Sequence, residues 1–124
     1  MDEPIPVIGL VGPCTSGKST LLDLLKRRGI PARHIAQEHS YVQRMWKVIA
    51  NPDVLIYLDV TYPVSMRRKK LDWTEDEYLE QQRRLTHARA HADFYLMTDP
   101  LTPDEVLDQV LKFLLGKYPL LTPS

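Results

Sequence analysis

Ile5-Pro6-Val7-Ile8-Gly9-Leu10-Val11-Gly12-Pro13-Cys14-Thr15-Ser16-Gly17-Lys18-Ser19-Thr20 is the stretch around which the rest of the chain arranges itself. Ile5 to Val11 is almost continuously apolar, the pattern of a central parallel strand covered on both faces. Gly12-Pro13 ends the run. From Ser19 to Arg28, Leu21, Leu22, Leu24 and Leu25 share one side of a predicted helix, and Lys26-Arg27-Arg28-Gly29 supplies a basic last turn and a glycine stop.

Outward from this unit, strands and helices alternate. Ala32 to Gln37 reads as a second short strand. Ser40-Tyr41-Val42-Gln43 reads as a capping box, with Val42, Met45, Trp46 and Ile49 at helical spacing and Asn51-Pro52 as the stop. Val54 to Val60 is the third strand. Pro63 suits the first turn of a helix from about Tyr62 to Leu71, which Asp72-Trp73 breaks. Thr74 to Glu77 is a second capping box, opening a long charged helix to about Ala92. Phe94 to Met97 is the fourth strand. Thr102-Pro103-Asp104-Glu105 opens a last helix that turns Val106, Val110, Leu111, Phe113 and Leu114 to the core. The order predicts an α/β fold: a small parallel sheet of about four strands, right-handed crossovers, and helices on both faces. Residues 1–116 are expected to form a single domain and 117–124 a loose tail.

The chain has 124 residues, enough for one core. Sixteen Lys and Arg balance sixteen Asp and Glu, which argues against a nucleic-acid coat or a polybasic membrane anchor. No apolar run approaches the roughly 18 residues of a membrane span. Met1-Asp2-Glu3-Pro4 lacks the basic-then-apolar layout of a signal peptide. The one cysteine, Cys14, excludes an internal disulfide. Together these lead us to expect a cytoplasmic protein that contacts neither membrane nor nucleic acid.

Gly12 to Ser19 fits G-x-x-x-x-G-K-[ST], the P-loop motif, and its context of strand before and helix after is the one the motif requires. Each residue type has a physical reason. Gly12 and Gly17 let the backbone turn and approach phosphate closely. The amides of Thr15 to Ser19 lie at a helix N-terminus, where the dipole favours anions. Lys18 supplies charge for the β- and γ-phosphates, and the Ser19 hydroxyl is a Mg²⁺ ligand. The expected nucleotide-binding set is therefore Gly12, Pro13, Cys14, Thr15, Ser16, Gly17, Lys18, Ser19 and Thr20, within a three-layer P-loop NTPase fold.

Phosphoryl transfer also needs metal support, an orienting group and positive charge on the moving phosphoryl. Two acids compete for the metal: Asp59, at the end of the apolar third strand, and Glu38, after the second. If the second strand lies beside the first, Glu38 faces the γ-phosphate. Asp59 has an alternative as a cap for the next helix. His39 is either an acceptor-site or base residue or an ordinary surface or capping histidine. Arg67, Arg68, Arg83, Arg84 and Arg89 flank the break at Leu71 to Thr74 and are candidates to close over phosphate, although Glu80 is placed to pair with Arg83 and Arg84. His87 and His91 have metal-ligand spacing but no third ligand, so we assign them none. Trp46 is expected to be buried on its helical apolar face.

The phosphate loop Gly12 to Thr20, the stretch from Pro52 to Arg68 and the stretch from Ala92 to Val106 resemble the P-loop nucleoside and nucleotide kinase group, which includes shikimate, dephospho-coenzyme A, thymidylate and adenylate kinases. The resemblance implies that Arg67 or Arg68 borders the adenine, with Asp99-Pro100-Leu101 beside it. It implies that Arg83, Arg84 and Arg89 are lid arginines, and that Glu38 rather than Asp59 is the acid near the metal. One departure stands out. Only about 25 residues separate the first helix from the third strand, where these kinases carry an acceptor-binding insertion.

The expectation is an ATP- and Mg²⁺-dependent phosphotransferase acting on an unknown small-molecule acceptor, as a monomer or homodimer. Lys18, Glu38, Arg83 and Arg84 would be its catalytic groups, Arg67 and Pro100 would complete the nucleotide site, and Ser19, Glu38 and Asp59 are the candidate metal residues. The alternative is an ATP-binding NTPase or regulatory module without a small-molecule acceptor. A GTPase is disfavoured because no N-K-x-D guanine motif is present.

Overall fold

In a computed structural model, which describes residues 5–69 and 73–121, four strands form one all-parallel sheet. They are β1 (Ile8–Val11), β2 (Arg33–His34), β3 (Val54–Asp59) and β4 (Phe94–Met97), in spatial order β2-β1-β3-β4. Among the described residues, six α-helices connect and cover them: α1 (Lys18–Arg27), α2 (Met45–Ile49), α3 (Tyr62–Arg68), α4 (Glu75–Arg84), α5 (Thr86–His91) and α6 (Pro103–Lys117). The protein is thus α/β with a small parallel sheet. Among the described residues, no helix is long and apolar enough to cross a membrane.

The pleat distributes the core. Ile8 and Leu10 of β1 and Val54, Ile56 and Leu58 of β3 face one way, onto Leu21 and Leu25 of α1 and Val110 and Leu114 of α6. Val11, Leu55 and Tyr57 face the other way, onto Trp46 of α2, Leu85, and Ala88 of α5. Both faces are covered, which is why β1 and β3 are apolar throughout. The strand order reverses beside β1: α1 returns the chain to β2 on one side, and the later crossovers lead to β3 and β4 on the other. That reversal opens a crevice at the carboxyl ends of β1 and β3.

Several elements differ from the sequence reading, and each difference has a local cause. The second strand is only two residues, because Gln37 draws the chain into a 3-10 turn (Gln37–His39). Its buried side chain donates to the carbonyls of Val42 (2.8 Å) and Arg84 (3.1 Å) and accepts from the Trp46 amide (2.8 Å). The capping box at Ser40 does not form. Gln43 is recruited elsewhere, donating to Arg83 O and accepting from the His87 amide, while Ser40 Oγ accepts from the Val42 amide. The helix therefore starts at Met45, and Val42 and Ile49 are exposed.

The long charged helix is two helices. Gln43 and Gln37 occupy the carbonyls of Arg83 and Arg84, and fully buried Leu85 turns the chain between α4 and α5. The capping boxes at Thr74 and Thr102 form as expected. Helix α3 ends at Arg68, and Leu71 and Asp72 of the expected break lie outside the described residues. The start of the expected loose tail is docked: Pro119–Leu121 forms a 3-10 turn, and Tyr118 and Leu121 pack on the first core. Trp46 and Trp73 are both buried, with their indole N–H groups donating to His87 Nδ1 and Ser65 Oγ.

Candidate functional site

The turn from β1 into α1 takes a path that ordinary residues resist. Gly12 (φ 149°), Thr15 (φ 68°) and Gly17 (φ 103°) all have positive φ. At Gly12 a Cβ would lie 2.0 Å from Leu58 O, so no side chain fits between this loop and β3. The loop opens into a cavity of about 590 Å³ at the carboxyl end of the sheet, lined along one side by Cys14 to Leu21.

Lys18 and Glu38 meet on its floor. Glu38 Oε2 lies 2.8 Å from Lys18 Nζ, and the two side chains are 3% and 5% exposed. Lys18 also donates to Gly12 O and Pro13 O (3.0 Å), folding its ammonium back over its own loop. The pairing of β2 with β1, through Gly9 with Arg33 and Leu10 with His34, carries the Gln37–His39 turn to this position. Three buried polar atoms here have no hydrogen-bond partner: Thr15 Oγ1, Ser16 Oγ and Glu38 Oε1. Unsatisfied buried groups are rare in folded proteins, and all three of these belong to residues that line this one cavity.

The surrounding residues fix the loop from two directions. Gln81 of α4 accepts the Cys14 amide proton (2.9 Å) and donates to Cys14 Sγ (3.1 Å). Arg68, at the end of α3, donates to Thr15 O (2.9 Å), Thr98 O (2.9 Å) and Thr98 Oγ1 (3.1 Å). Thr98 Oγ1 in turn lies 3.0 Å from Ser16 O and 2.8 Å from Asp59 O. His34 lies at the cavity edge, its Nε2 3.9 Å from Glu38 Oε2. Burial, reinforced by the Lys18 ammonium, holds its pKa below the ordinary histidine value.

The expected site residues thus divide. Cys14 to Thr20, with Lys18, Ser19 and Glu38, line one cavity, and Gly12 and Pro13 form its loop. Arg84 sits behind it, donating to Glu38 O (3.3 Å) and Glu80 Oε1 (3.2 Å) and stacking 4.2 Å over Tyr41. Arg83 points to solvent, paired with Glu80. Arg67 and Pro100 are exposed and do not line the cavity; their neighbours Arg68 and Leu101 do.

The Asp59 carboxylate belongs to another network. It accepts from Tyr95 Oη (2.5 Å), the Val60 amide (2.9 Å) and Gln82 Nε2 (3.2 Å), with Arg89 Nη2 at 4.0 Å. Burial and the Asp59 hydrogen bond push the Tyr95 hydroxyl up to about 12, and burial also raises Tyr57 and Tyr78. Arg89 lies over the rings of Tyr95 (5.1 Å) and Tyr57 (6.0 Å), so it faces this cluster rather than the loop.

Sequence reasoning missed Gln81, Thr98 and His34. Gln81 lies 67 residues from Cys14 in a helix read as a charged face, so no local signal marked it. Thr98 follows the fourth strand directly, at the strand end where crevices form, and that position was a usable signal. No protein-family model and no curated protein matches the chain.

Proposed function

We propose that this chain is an ATP- and Mg²⁺-dependent phosphotransferase with the P-loop NTPase architecture, working in a cytoplasmic setting. One observation carries the reading. A motif-bearing loop of positive-φ residues, backed by a buried Lys18–Glu38 pair, surrounds three unsatisfied buried oxygens at the carboxyl end of a parallel sheet.

The residues present fit a nucleoside triphosphate with its metal. The amides of Thr15 to Ser19 and the ammonium of Lys18 would hold the phosphates, and the Ser19 hydroxyl the Mg²⁺. Ser16 Oγ and Thr15 Oγ1 would gain the partners they lack. Bound Mg²⁺ supplies charge neutralisation on the phosphates. Glu38 is the better-placed acid, because it shares the cavity with Lys18 and Ser19 whereas the Asp59 carboxylate is held by Tyr95 and Gln82. Its free Oε1 would support the metal or accept a hydroxyl proton from the acceptor. Lys18 would exchange its loop carbonyls for phosphate oxygens, while Arg68 keeps the loop fixed from behind.

A second cavity of about 520 Å³ adjoins the first at His34 and His39, lined by Ile35, Tyr41, Met45 and Ile49 among others. It lies on the Glu38 side and is the space an acceptor would occupy, which favours a kinase over an acceptor-independent NTPase. The opposing observation is that Arg83 and Arg84 are engaged by Glu80 rather than free to close. ADP formation from MgATP, alone and with pooled metabolites, separates three readings: kinase, NTPase and regulatory module. Acceptor-dependent ADP supports the kinase. Acceptor-independent ADP assigns an NTPase. No ADP despite tight binding assigns a regulatory module.

A further inference from the structure

We propose that Cys14, Glu38 and His39 form a site for a borderline-soft divalent cation of the zinc class, at the mouth of the phosphate loop. One ligand atom from each residue lies within 4.8 Å of the other two. Cys14 Sγ and His39 Nε2 are 3.9 Å apart. In a tetrahedral site with Zn–S about 2.3 Å and Zn–N about 2.0–2.1 Å, sulfur and nitrogen stand about 3.5 Å apart. The sulfur–nitrogen edge closes with a few tenths of an ångström at the exposed His39, and the edges to the Glu38 carboxylate, each within 4.8 Å, draw in as the Cys14 and His39 side chains turn toward it.

An independent observation points to a ligand. Glu38 is 2% exposed, yet its Oε1 has no hydrogen-bond partner. The Lys18 ammonium occupies Oε2 and leaves one oxygen to coordinate. The donors are also held in place from outside. Gln81 fixes Cys14 through both its amide and its sulfur, and the 3-10 turn fixes the backbone of His39 through its amide bond to Ala36 O (3.1 Å), leaving the imidazole free to turn. A thiolate, an imidazole and a carboxylate select zinc-like ions over magnesium, and they leave a fourth position for water. On binding, the thiol proton leaves to solvent and a sulfur–metal bond takes its place.

The consequence, which rests on the nucleotide reading above, is competition. A cation held by Cys14 and Glu38 takes the carboxylate that reading needs and crowds the loop that would hold phosphate. Zinc-class ions would then switch the site off.

The test is a cobalt(II) titration of the full chain without nucleotide, read by the thiolate-to-cobalt charge-transfer band, with zinc as the displacing ion. Cys14 is the one cysteine, so the band reports this site and is blind to the stacked pair His87 and His91. The expected result is a one-to-one band that zinc abolishes, that Cys14→Ser eliminates, and that His39→Ala weakens by more than about tenfold. Absence of the band, or an unchanged affinity in His39→Ala, overturns the site. MgATP binding with and without zinc then tests the competition. A rise in apparent Kd with zinc supports it, and simultaneous independent binding overturns it. Failure of MgATP to bind in the absence of zinc refutes the nucleotide reading, while the cobalt band still decides the metal site.

Discussion

The Lys18–Glu38 pair allows a direct energetic test. Its charges are 2.8 Å apart, so their attraction is about 6 kcal/mol at an effective dielectric of about 20. Desolvation of two groups this buried offsets most of that gain. Removing one partner forfeits the attraction and leaves the other charge buried. Lys18→Met strands a carboxylate whose Oε1 is already unpartnered, and Glu38→Leu strands an ammonium with only the Gly12 and Pro13 carbonyls. Each single variant should lose about 3–5 kcal/mol, a large share of the stability of a domain this size. The double variant removes both charges and should fall within about 1 kcal/mol of the parent. Urea unfolding, followed by the fluorescence of buried Trp46 and Trp73, measures all four corners of the cycle. Single-variant losses below about 1 kcal/mol, or losses that simply add in the double variant, would refute the reasoning.

The other predictions concern the loop and the tyrosine cluster. Gly12→Ala drives a methyl into Leu58 O and should cost more than about 2 kcal/mol, whereas Gly17→Ala meets open space and should cost only about 1 kcal/mol from its positive φ; thermal unfolding of the pair checks the order. Tyr95 is raised from 10.0 in the unfolded chain to about 12 in the fold, so its contribution to stability is complete below pH 10 and is lost as pH rises from there through about 12. Tyr95→Phe should flatten that alkaline loss, and tyrosinate absorbance should show one fewer late-ionising ring. Alkylation of Cys14 should displace Gln81 and lower MgATP affinity by more than about tenfold; unchanged affinity in fully labelled protein, checked by mass spectrometry, would separate Cys14 from the nucleotide site.

Much of the fold was legible because its signals are local. The apolar runs at Ile8–Val11 and Val54–Asp59, the capping boxes at Thr74 and Thr102 and the glycine-bounded loop each carry their own cause within a few residues. What was not legible depended on partners far along the chain. Gln37 and Gln43 look like ordinary polar residues, yet their side chains shorten β2, delay α2 and split the α4–α5 segment by taking carbonyls some 40 residues away. The site shows the same division. The loop motif and the position of Glu38 beside it could be read from order and spacing. Of the pair Arg67 or Arg68 and the loop Asp99-Pro100-Leu101, it is Arg68 and Leu101 that line the cavity, while Arg67 and Pro100 do not. Helix phase and loop geometry set such one-residue differences, and the sequence does not fix either to that accuracy.

Equilibrium binding of MgATP to the parent chain and to Lys18→Ala, with circular dichroism to confirm that the variant is folded, tests the central claim most directly. The account predicts saturable one-to-one binding by the parent and a loss of more than about tenfold in the folded variant, equivalent to at least about 1.4 kcal/mol. Equal affinities in the two chains, or no binding by the parent, would contradict it.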